Sequence, residues 1–147
     1  MSYVKITNGV PEIYSIGNLR RDNPNVSFPK SPSDEMLRDW DVYPLTTESE
    51  PSFDRDTQFS TLGNPQLIDG VWKRSWTISQ HPENTAAAHI RNKRNEILAR
   101  NVDSMNPIRW ESMSAEKKAE WEKYRLALLD IPQQEGFPFN VTWPTKP

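Results

Sequence analysis

The sequence of 147 residues contains no cysteine, only two histidines and only five glycines. Without cysteine the chain can form neither a disulfide nor a thiolate metal site, and an intracellular origin is permitted. No apolar run approaches the length of a membrane-spanning helix, and Met1-Ser2-Tyr3-Val4-Lys5 does not have the pattern of a secretory signal peptide. We therefore expect no membrane partner and no disulfide framework.

Apolar residues are also scarce, because they make up 35% of the sequence and the mean hydropathy is −0.82. A chain of this length favours one domain or two small modules. The polar composition and the 13 prolines make a single compact core less favourable. Six tryptophans and five phenylalanines argue against plain disorder, since each ring buries a large area. The composition predicts two small ordered modules with long irregular connections.

Charge of neither sign dominates, and a net charge of −2 by itself implies no nucleic-acid partner. The basic residues of one predicted helix, residues 82–102, are the local exception: Arg91, Lys93, Arg94 and Arg100. No aromatic residues are interleaved with them, so exposed helix surface is favoured over a nucleic-acid contact. An acidic protein partner is the next interpretation.

The N-terminal part, residues 1–56, is predicted to be a small β-rich docking module with irregular Pro-rich segments. Residues 3–14 alternate apolar and polar side chains around Asn8-Gly9, which is a hairpin turn signal. Residues 31–40 read as a short helix that Ser33 caps. The acidic stretch 46–56 is predicted to be a linker.

The remainder, residues 57–147, is predicted to contain a β-hairpin followed by a two-helix hairpin and an extended tail. The β-hairpin turns at Asp69-Gly70, and residues 72, 74, 76 and 78 are expected to share one face of a single strand. Apolar stripes of helical period predict helices over residues 82–102 and 114–129, with Met105-Asn106-Pro107 between them. The predicted fold class is therefore α+β.

Catalytic and metal-binding patterns are weak. His81 and His89 are more often loop or helix surface than catalytic groups, and no nucleophile elbow or phosphate loop is present. The pairs Asp39/Asp41 and Asp54/Asp56 lack the glycine and distal glutamate of a calcium loop. The sequence predicts no enzyme, no metal, no cofactor and no small-molecule substrate.

The tryptophans of the β-hairpin offer one enzymatic alternative. Trp72 and Trp76 could stack on sugars, as in a small hydrolase or carbohydrate-binding enzyme that acts on a host surface. No plausible carboxylate pair accompanies them, so this alternative is disfavoured.

The aromatic residues of the C-terminal region are the candidate partner-binding residues. Trp121, Tyr124, Arg125 and Leu128 share one helix face. Such a stripe is usually core, yet tryptophan, tyrosine and arginine are also enriched in binding hot spots. The extended tail after this helix could pack on the same seam or insert into a partner, and both interpretations stay open. The candidate set is Trp121, Tyr124, Arg125, Phe137, Phe139, Trp143 and, in the N-terminal Pro-rich segment, Phe28.

The order of several short motifs resembles a known family. At the C-terminus, Trp121, Tyr124-Arg125 and Asp130-Ile131-Pro132 precede Phe137-Pro138 and a closing Trp143-Pro144-x-x-Pro147. This order is similar to the C-terminal module of bacteriophage tail assembly chaperones and tail-fibre accessory proteins. The N-terminal run Tyr3-Val4-Lys5-Ile6-x-Asn8-Gly9-Val10 likewise looks like the opening of small tail-fibre-region proteins.

The resemblance implies a non-enzymatic protein of the phage tail or tail-fibre region. Its partners would be tail-fibre, baseplate or other tail proteins. It would be made in the bacterial host cytoplasm and would either remain in the virion tail as an adaptor or act as a transient chaperone that is absent from the finished particle.

Overall fold

The computed structural model describes residues 2–147, which form a mixed α+β fold, as predicted. The strands are β1 Ser2–Thr7, β2 Val10–Tyr14, β3 Val42–Thr47, β4 Gln58–Leu62, β5 Gln66–Ile68, β6 Val71–Arg74 and β7 Trp76–Gln80. The α-helices are α1 Ile16–Asp22, α2 Asp34–Arg38, α3 Glu83–Ile97, α4 Pro107–Glu111 and α5 Ala115–Leu129. A π-helical segment spans Leu98–Asp103, and a 3₁₀ turn spans Ile131–Gln133.

The chain divides into two compact units that do not follow its linear order. The first, here called the sheet unit, comprises the described residues up to Ser52 together with Ser60–Ile78. The second, the helical unit, comprises Phe53–Phe59 and Ser79–Pro147. The sequence-based division at residues 56 and 57 therefore differs from the compact units, because the hairpin of β5 and β6 groups with the N-terminal strands.

The sheet unit is built on five strands in the order β2-β1-β3-β6-β5. Neighbouring strands are antiparallel except for β3 and β6, which pair in parallel with Leu45 beside Trp72. Asn8 and Gly9 connect β1 to β2 with positive φ angles of 52° and 80°. Positive φ at both central residues is the geometry of a two-residue hairpin turn, and Asp69-Gly70 repeats it between β5 and β6.

The core of the sheet unit lies between one face of the sheet and the two short helices. Tyr3, Tyr14 and Val42 pack against Leu19 of α1 and Leu37 of α2. Both leucines are fully buried. The helices are short, so their start signals are local: Ser15 Oγ accepts from Asn18 N–H and Ser33 Oγ accepts from Met36 N–H.

The Pro-rich segment between α1 and α2 is tied to this core at two points. The Arg20 guanidinium donates to the carbonyl oxygens of Pro29 and Lys30, at 2.8 and 3.2 Å. The Phe28 ring packs edge-on against Trp40, with 5.3 Å between the ring centroids. The segment is therefore irregular in backbone but fixed by side-chain contacts.

The expected single strand face through residues 72, 74, 76 and 78 is wrong. The run is interrupted at Ser75: β6 ends at Arg74 and belongs to the five-stranded sheet, whereas β7 begins at Trp76 and pairs with β4. The interruption is stabilised locally, because the Ser75 carbonyl accepts from Gly63 N–H and Arg74 Nε donates to the Gly63 carbonyl. Trp72 and Trp76 thus lie on different sheets.

Tyr14 gives the sheet unit a pH dependence. Its hydroxyl donates to Asp22 at 2.6 Å, and burial, followed by this hydrogen bond, raises the pKa of Tyr14 from 10.0 to about 12. The stability that Tyr14 contributes is then complete below pH 10 and is lost as the pH rises from 10.0 to about 12. The same hydrogen bond lowers the pKa of Asp22 from its ordinary value of 3.8. The contribution of Asp22 to stability is therefore lost only in acid, below that pH.

We expect Tyr14→Phe to lower the free energy of unfolding by about 1 kcal/mol at neutral pH, because that is the typical net contribution of one hydrogen bond. The variant should also lose less stability than the unmodified protein when the pH is raised from 10 to 12. Urea unfolding at several pH values tests both expectations. Parallel alkaline curves for the two proteins would contradict the assignment.

The helical unit departs from the predicted two-helix hairpin in two ways. The helix expected over residues 82–102 remains α-helical only to Ile97 and continues as the π-helical segment to Asp103. The turn expected at Met105-Asn106-Pro107 leads into the additional helix α4, which Asn106 caps and Pro107 begins. Proline is well suited to a first helical position, since its missing N–H would have no partner there. Within residues 2–147, no helix combines the length and apolarity that spanning a bilayer requires.

Candidate docking surface

One face of α5 forms the core of the helical unit. Trp121, Tyr124 and Leu128 are buried together with Ile90 of α3 and with Ile131. The Trp121 and Tyr124 rings meet edge-to-face with 5.8 Å between centroids. Of the two open interpretations of this stripe, the structure supports core for both aromatic residues, because Trp121 is 4% exposed and Tyr124 is 6% exposed.

Arg125 lies outside this core although it is adjacent to Tyr124 in sequence. Its side chain is exposed and makes no hydrogen bond, ion pair or ring contact with the described residues 2–147. Other arginines of the unit are engaged: Arg91 lies over the Phe137 ring and Arg100 pairs with Glu96. Arg125 is therefore an exposed guanidinium without an ion-pair partner among the described residues.

The C-terminal tail packs on its own helices. Phe137, Val141 and Trp143 are half-buried against the core of the helical unit. Gln134 holds the returning chain with two backbone bonds to Thr142: its amide nitrogen donates at 2.9 Å and its amide oxygen accepts at 2.8 Å. Phe139 remains 39% exposed. Of the tail aromatics, Phe139 is thus the most accessible to a partner.

The basic residues of α3 contribute to this packing. The Arg91 guanidinium lies 5.1 Å from the Phe137 ring centroid, and Lys93 Nζ lies 5.2 Å from the Trp143 ring centroid. A cation above an aromatic face is attracted by the ring quadrupole. The sequence predicted exposed helix surface for these cations and gave no signal that two of them cover tail rings. The pairing was not evident because the partners are more than 40 positions apart.

Gly136 allows the chain to turn tightly at the start of the tail. The Asn140 N–H donates to the Gly136 carbonyl at 2.7 Å, and a Cβ at position 136 would lie 2.3 Å from the Asn140 backbone oxygen. We expect Gly136→Ala to destabilise the protein by about 1–3 kcal/mol, because the backbone must move to relieve the clash. Thermal unfolding measures the loss.

Gly17→Ala is the matched control for this substitution. A Cβ at Gly17 meets only Ser15 Oγ at an ordinary 3.5 Å, and the residue lies in helix α1. The control should be neutral or slightly stabilising. A loss at Gly17 equal to that at Gly136 would contradict the role assigned to the turn.

The predicted carboxylate pair Asp54/Asp56 makes structural contacts. Asp54 accepts from the Thr57 hydroxyl and from Asp56 N–H, while Asp56 forms an ion pair with Lys93. The Asp56 carbonyl lies 3.2 Å from His89 Nδ1. Among residues 2–147, no three histidine or carboxylate side chains are grouped to hold a metal ion.

A hollow with mainly apolar walls lies beside Arg125 in the helical unit. It has a volume of about 340 Å³ and opens between the π-helical segment, α4 and α5. Its apolar walls are Val102, Met105, Pro107, Trp110 and Trp121, and its charged rim residues are Glu122 and Arg125. We call this hollow the α4–α5 pocket.

Exposed apolar residues near the same elements were missed by the sequence analysis. Ile108 of α4 is 81% exposed, and Leu126 of α5 is 58% exposed. Leu126 and Leu129 fall at i+4 and i+7 from Glu122, a second apolar stripe beside the buried one. That spacing was the available signal, and it was obscured by the stronger aromatic stripe at Trp121.

Phe28, the remaining candidate, belongs to the sheet unit. It is half-buried against Trp40 and the core of that unit. The C-terminal candidates therefore all belong to the helical unit, whereas Phe28 belongs to the sheet unit.

The geometry is that of a small α+β protein with an open apolar pocket and a self-packed aromatic tail. Residues 87–147 match the family model described as phage tail assembly chaperone protein. The match confirms the resemblance seen in the C-terminal motifs, and it contains α5, the tail and the α4–α5 pocket. The description of that family points to phage tail assembly.

A second similarity is partial. Over 76 residues the chain is 37% identical to a protein named beta-fructofuranosidase, insoluble isoenzyme 6, from Oryza sativa subsp. japonica. The aligned part covers 46% of this chain and 12% of that protein. So small a share of the longer protein does not show catalysis in this chain. No solved structure matches the chain.

Proposed function

We propose that this protein is a bacteriophage tail or tail-fibre accessory protein that docks on other virion proteins and remains in the particle as a structural adaptor. The observation that carries the proposal is the family match over residues 87–147. It supports a tail-assembly role, and the pocket and exposed apolar residues of the same segment offer surface for a protein partner.

The contacts of the helical unit support a structural adaptor. The two hydrogen bonds between Gln134 and Thr142 join the ends of the tail, and the two cation–π contacts hold it against α3. A preformed surface of this kind loses little conformational freedom on docking, which favours a lasting interface. Docking would use exposed groups such as Arg125 and Phe139, while Trp121 and Tyr124 support them from within.

A transient assembly chaperone is the second candidate, and the description of the matching family favours it directly. The same exposed residues would then bind a tail or tail-fibre protein during assembly and release it afterwards. The two candidates differ in one observable, which is whether the protein is present in finished particles.

Quantitative mass spectrometry of purified, intact phage particles tests the proposal, with copy number referred to the major capsid protein. A fixed copy number, particularly a multiple of the tail's rotational symmetry, supports the adaptor. Absence from particles combined with presence in infected-cell lysate would overturn retention and favour the chaperone. Failure to bind any tail protein at either stage would refute both.

A further inference from the structure

The α4–α5 pocket combines an apolar interior with an unpaired cation at its rim. Its walls include the half-buried Trp110 and one edge of Trp121. Water in such a hollow has few polar partners, so an apolar side chain would displace it favourably. The volume of about 340 Å³ is at the small end of the range of ligand pockets, which suits one large side chain rather than a whole cofactor.

The rim carries one charge of each sign, Glu122 and Arg125, and the Arg125 guanidinium is the hydrogen-bond donor of the two. Arg125 has no partner among residues 2–147, and its planar guanidinium offers paired donors that match a carboxylate. Lys118 cannot take the same role, because its ammonium group lies over the Trp110 ring and pairs with Glu111. The free donor at this rim is therefore the guanidinium of Arg125.

The exposed leucines that follow the pocket along α5 indicate a contact that extends beyond the pocket. Leu126 and Leu129 are 58% and 37% exposed, and they lie on the same helix face as Arg125. A peptide that placed one side chain in the pocket could continue over these leucines.

We propose that the α4–α5 pocket binds a segment of a tail protein that inserts one large apolar side chain and pairs a neighbouring aspartate or glutamate with Arg125. This inference rests on the proposed function, and it specifies the chemistry of the partner. The committed occupant is an apolar–acidic peptide segment, since charge complementarity with Arg125 distinguishes it from a purely apolar ligand.

The test uses the full-length protein and overlapping synthetic peptides that cover the phage's own tail and tail-fibre proteins. Peptides that bind should share a large apolar residue next to an acidic one. Arg125→Glu should weaken their binding at least about tenfold, because the rim charge then repels the carboxylate. Replacing the acidic residue of the peptide with lysine should restore binding to Arg125→Glu and abolish binding to the unmodified protein.

Lys123→Glu is the matched control, with the same charge reversal on another face of α5. Lys123 is exposed and lines a separate hollow with Tyr124 and the C-terminal residues. Unchanged binding in this variant supports the specific role of Arg125. Equal weakening by both variants would overturn the proposal and leave only a general charge effect. Both variants should retain the melting temperature of the unmodified protein.

Three further outcomes overturn the inference. Intact tail proteins could bind the unmodified protein and Arg125→Glu equally well, in which case the proposed function stands and the pocket assignment fails. If no tail protein binds at all, the proposed function fails as well. If light scattering shows a dimer that Arg125→Glu dissociates, the occupant is a second copy of this chain.

Discussion

Replacing Trp121 with alanine is expected to lower the free energy of unfolding by about 3–5 kcal/mol, the range for removing a large aromatic side chain from a core. Trp121 is 4% exposed, its ring contacts Tyr124 edge-on, and Lys146 Nζ lies 5.7 Å from the centroid of the Trp121 ring. Alanine would leave a cavity beside the α4–α5 pocket and would remove the support of the tail. Urea unfolding measures the change.

Leu126→Ala provides the comparison on the same helix. Leu126 is 58% exposed, so its removal should change the free energy of unfolding by less than about 0.5 kcal/mol. An unchanged melting temperature in Trp121→Ala, accompanied by loss of a tail-protein partner, would instead make Trp121 an interface residue. That result would contradict the core assignment.

Leu19→Ala is expected to lower the free energy of unfolding by about 2–5 kcal/mol, because Leu19 is fully buried and its removal leaves a cavity. It lies between the strand tyrosines Tyr3 and Tyr14 and the helix residue Leu37. Urea unfolding followed by far-ultraviolet circular dichroism measures the loss.

Ile13→Ala is the control in the neighbouring strand. Ile13 is 54% exposed although it is adjacent to the buried Tyr14, since successive strand residues face opposite sides of the sheet. We expect Ile13→Ala to lower the free energy of unfolding slightly and Leu19→Ala to lower it strongly. Similar losses at both positions would mean that the core of the sheet unit lies elsewhere.

The elements that could be predicted from the sequence depend on neighbouring residues. Asn8-Gly9 specifies its turn because both positions need positive φ, and Ser33 and Ser114 mark helix starts because their hydroxyls accept from N–H groups of the first turn. The period of the Trp121 stripe predicted α5 for a similar reason. Each signal is contained within a few positions.

The elements that could not be predicted depend on distant residues. The parallel pairing of Leu45 with Trp72 joins strands separated by more than 20 positions, and no local pattern specifies that choice. The break at Ser75 requires Gly63 as its hydrogen-bond partner. The π-helical segment at the end of α3 has no composition signal that distinguishes it from an α-helix.

The same distinction applies to the candidate docking residues. The sequence placed Trp121, Tyr124 and Arg125 on one helix face, which was enough to select them but not to separate the buried rings from the exposed guanidinium. A difference of one position, or about 100° around the helix, separates Tyr124 from Arg125. Burial depends on which neighbouring elements cover each side of helix α5. The sequence of the helix does not contain that information, which comes from the three-dimensional packing of the tail.

The discontinuous make-up of the helical unit determines where the protein can be cut. A fragment that starts at residue 79, or at residue 87 where the family match begins, lacks Phe53–Phe59. Lys93 then loses its carboxylate partner Asp56, and the His89 ring loses the backbone oxygen that it faces. Recombinant work on the C-terminal segment should therefore retain residues 53–59, and a shortened chain that fails to fold would say nothing about whether the intact segment binds.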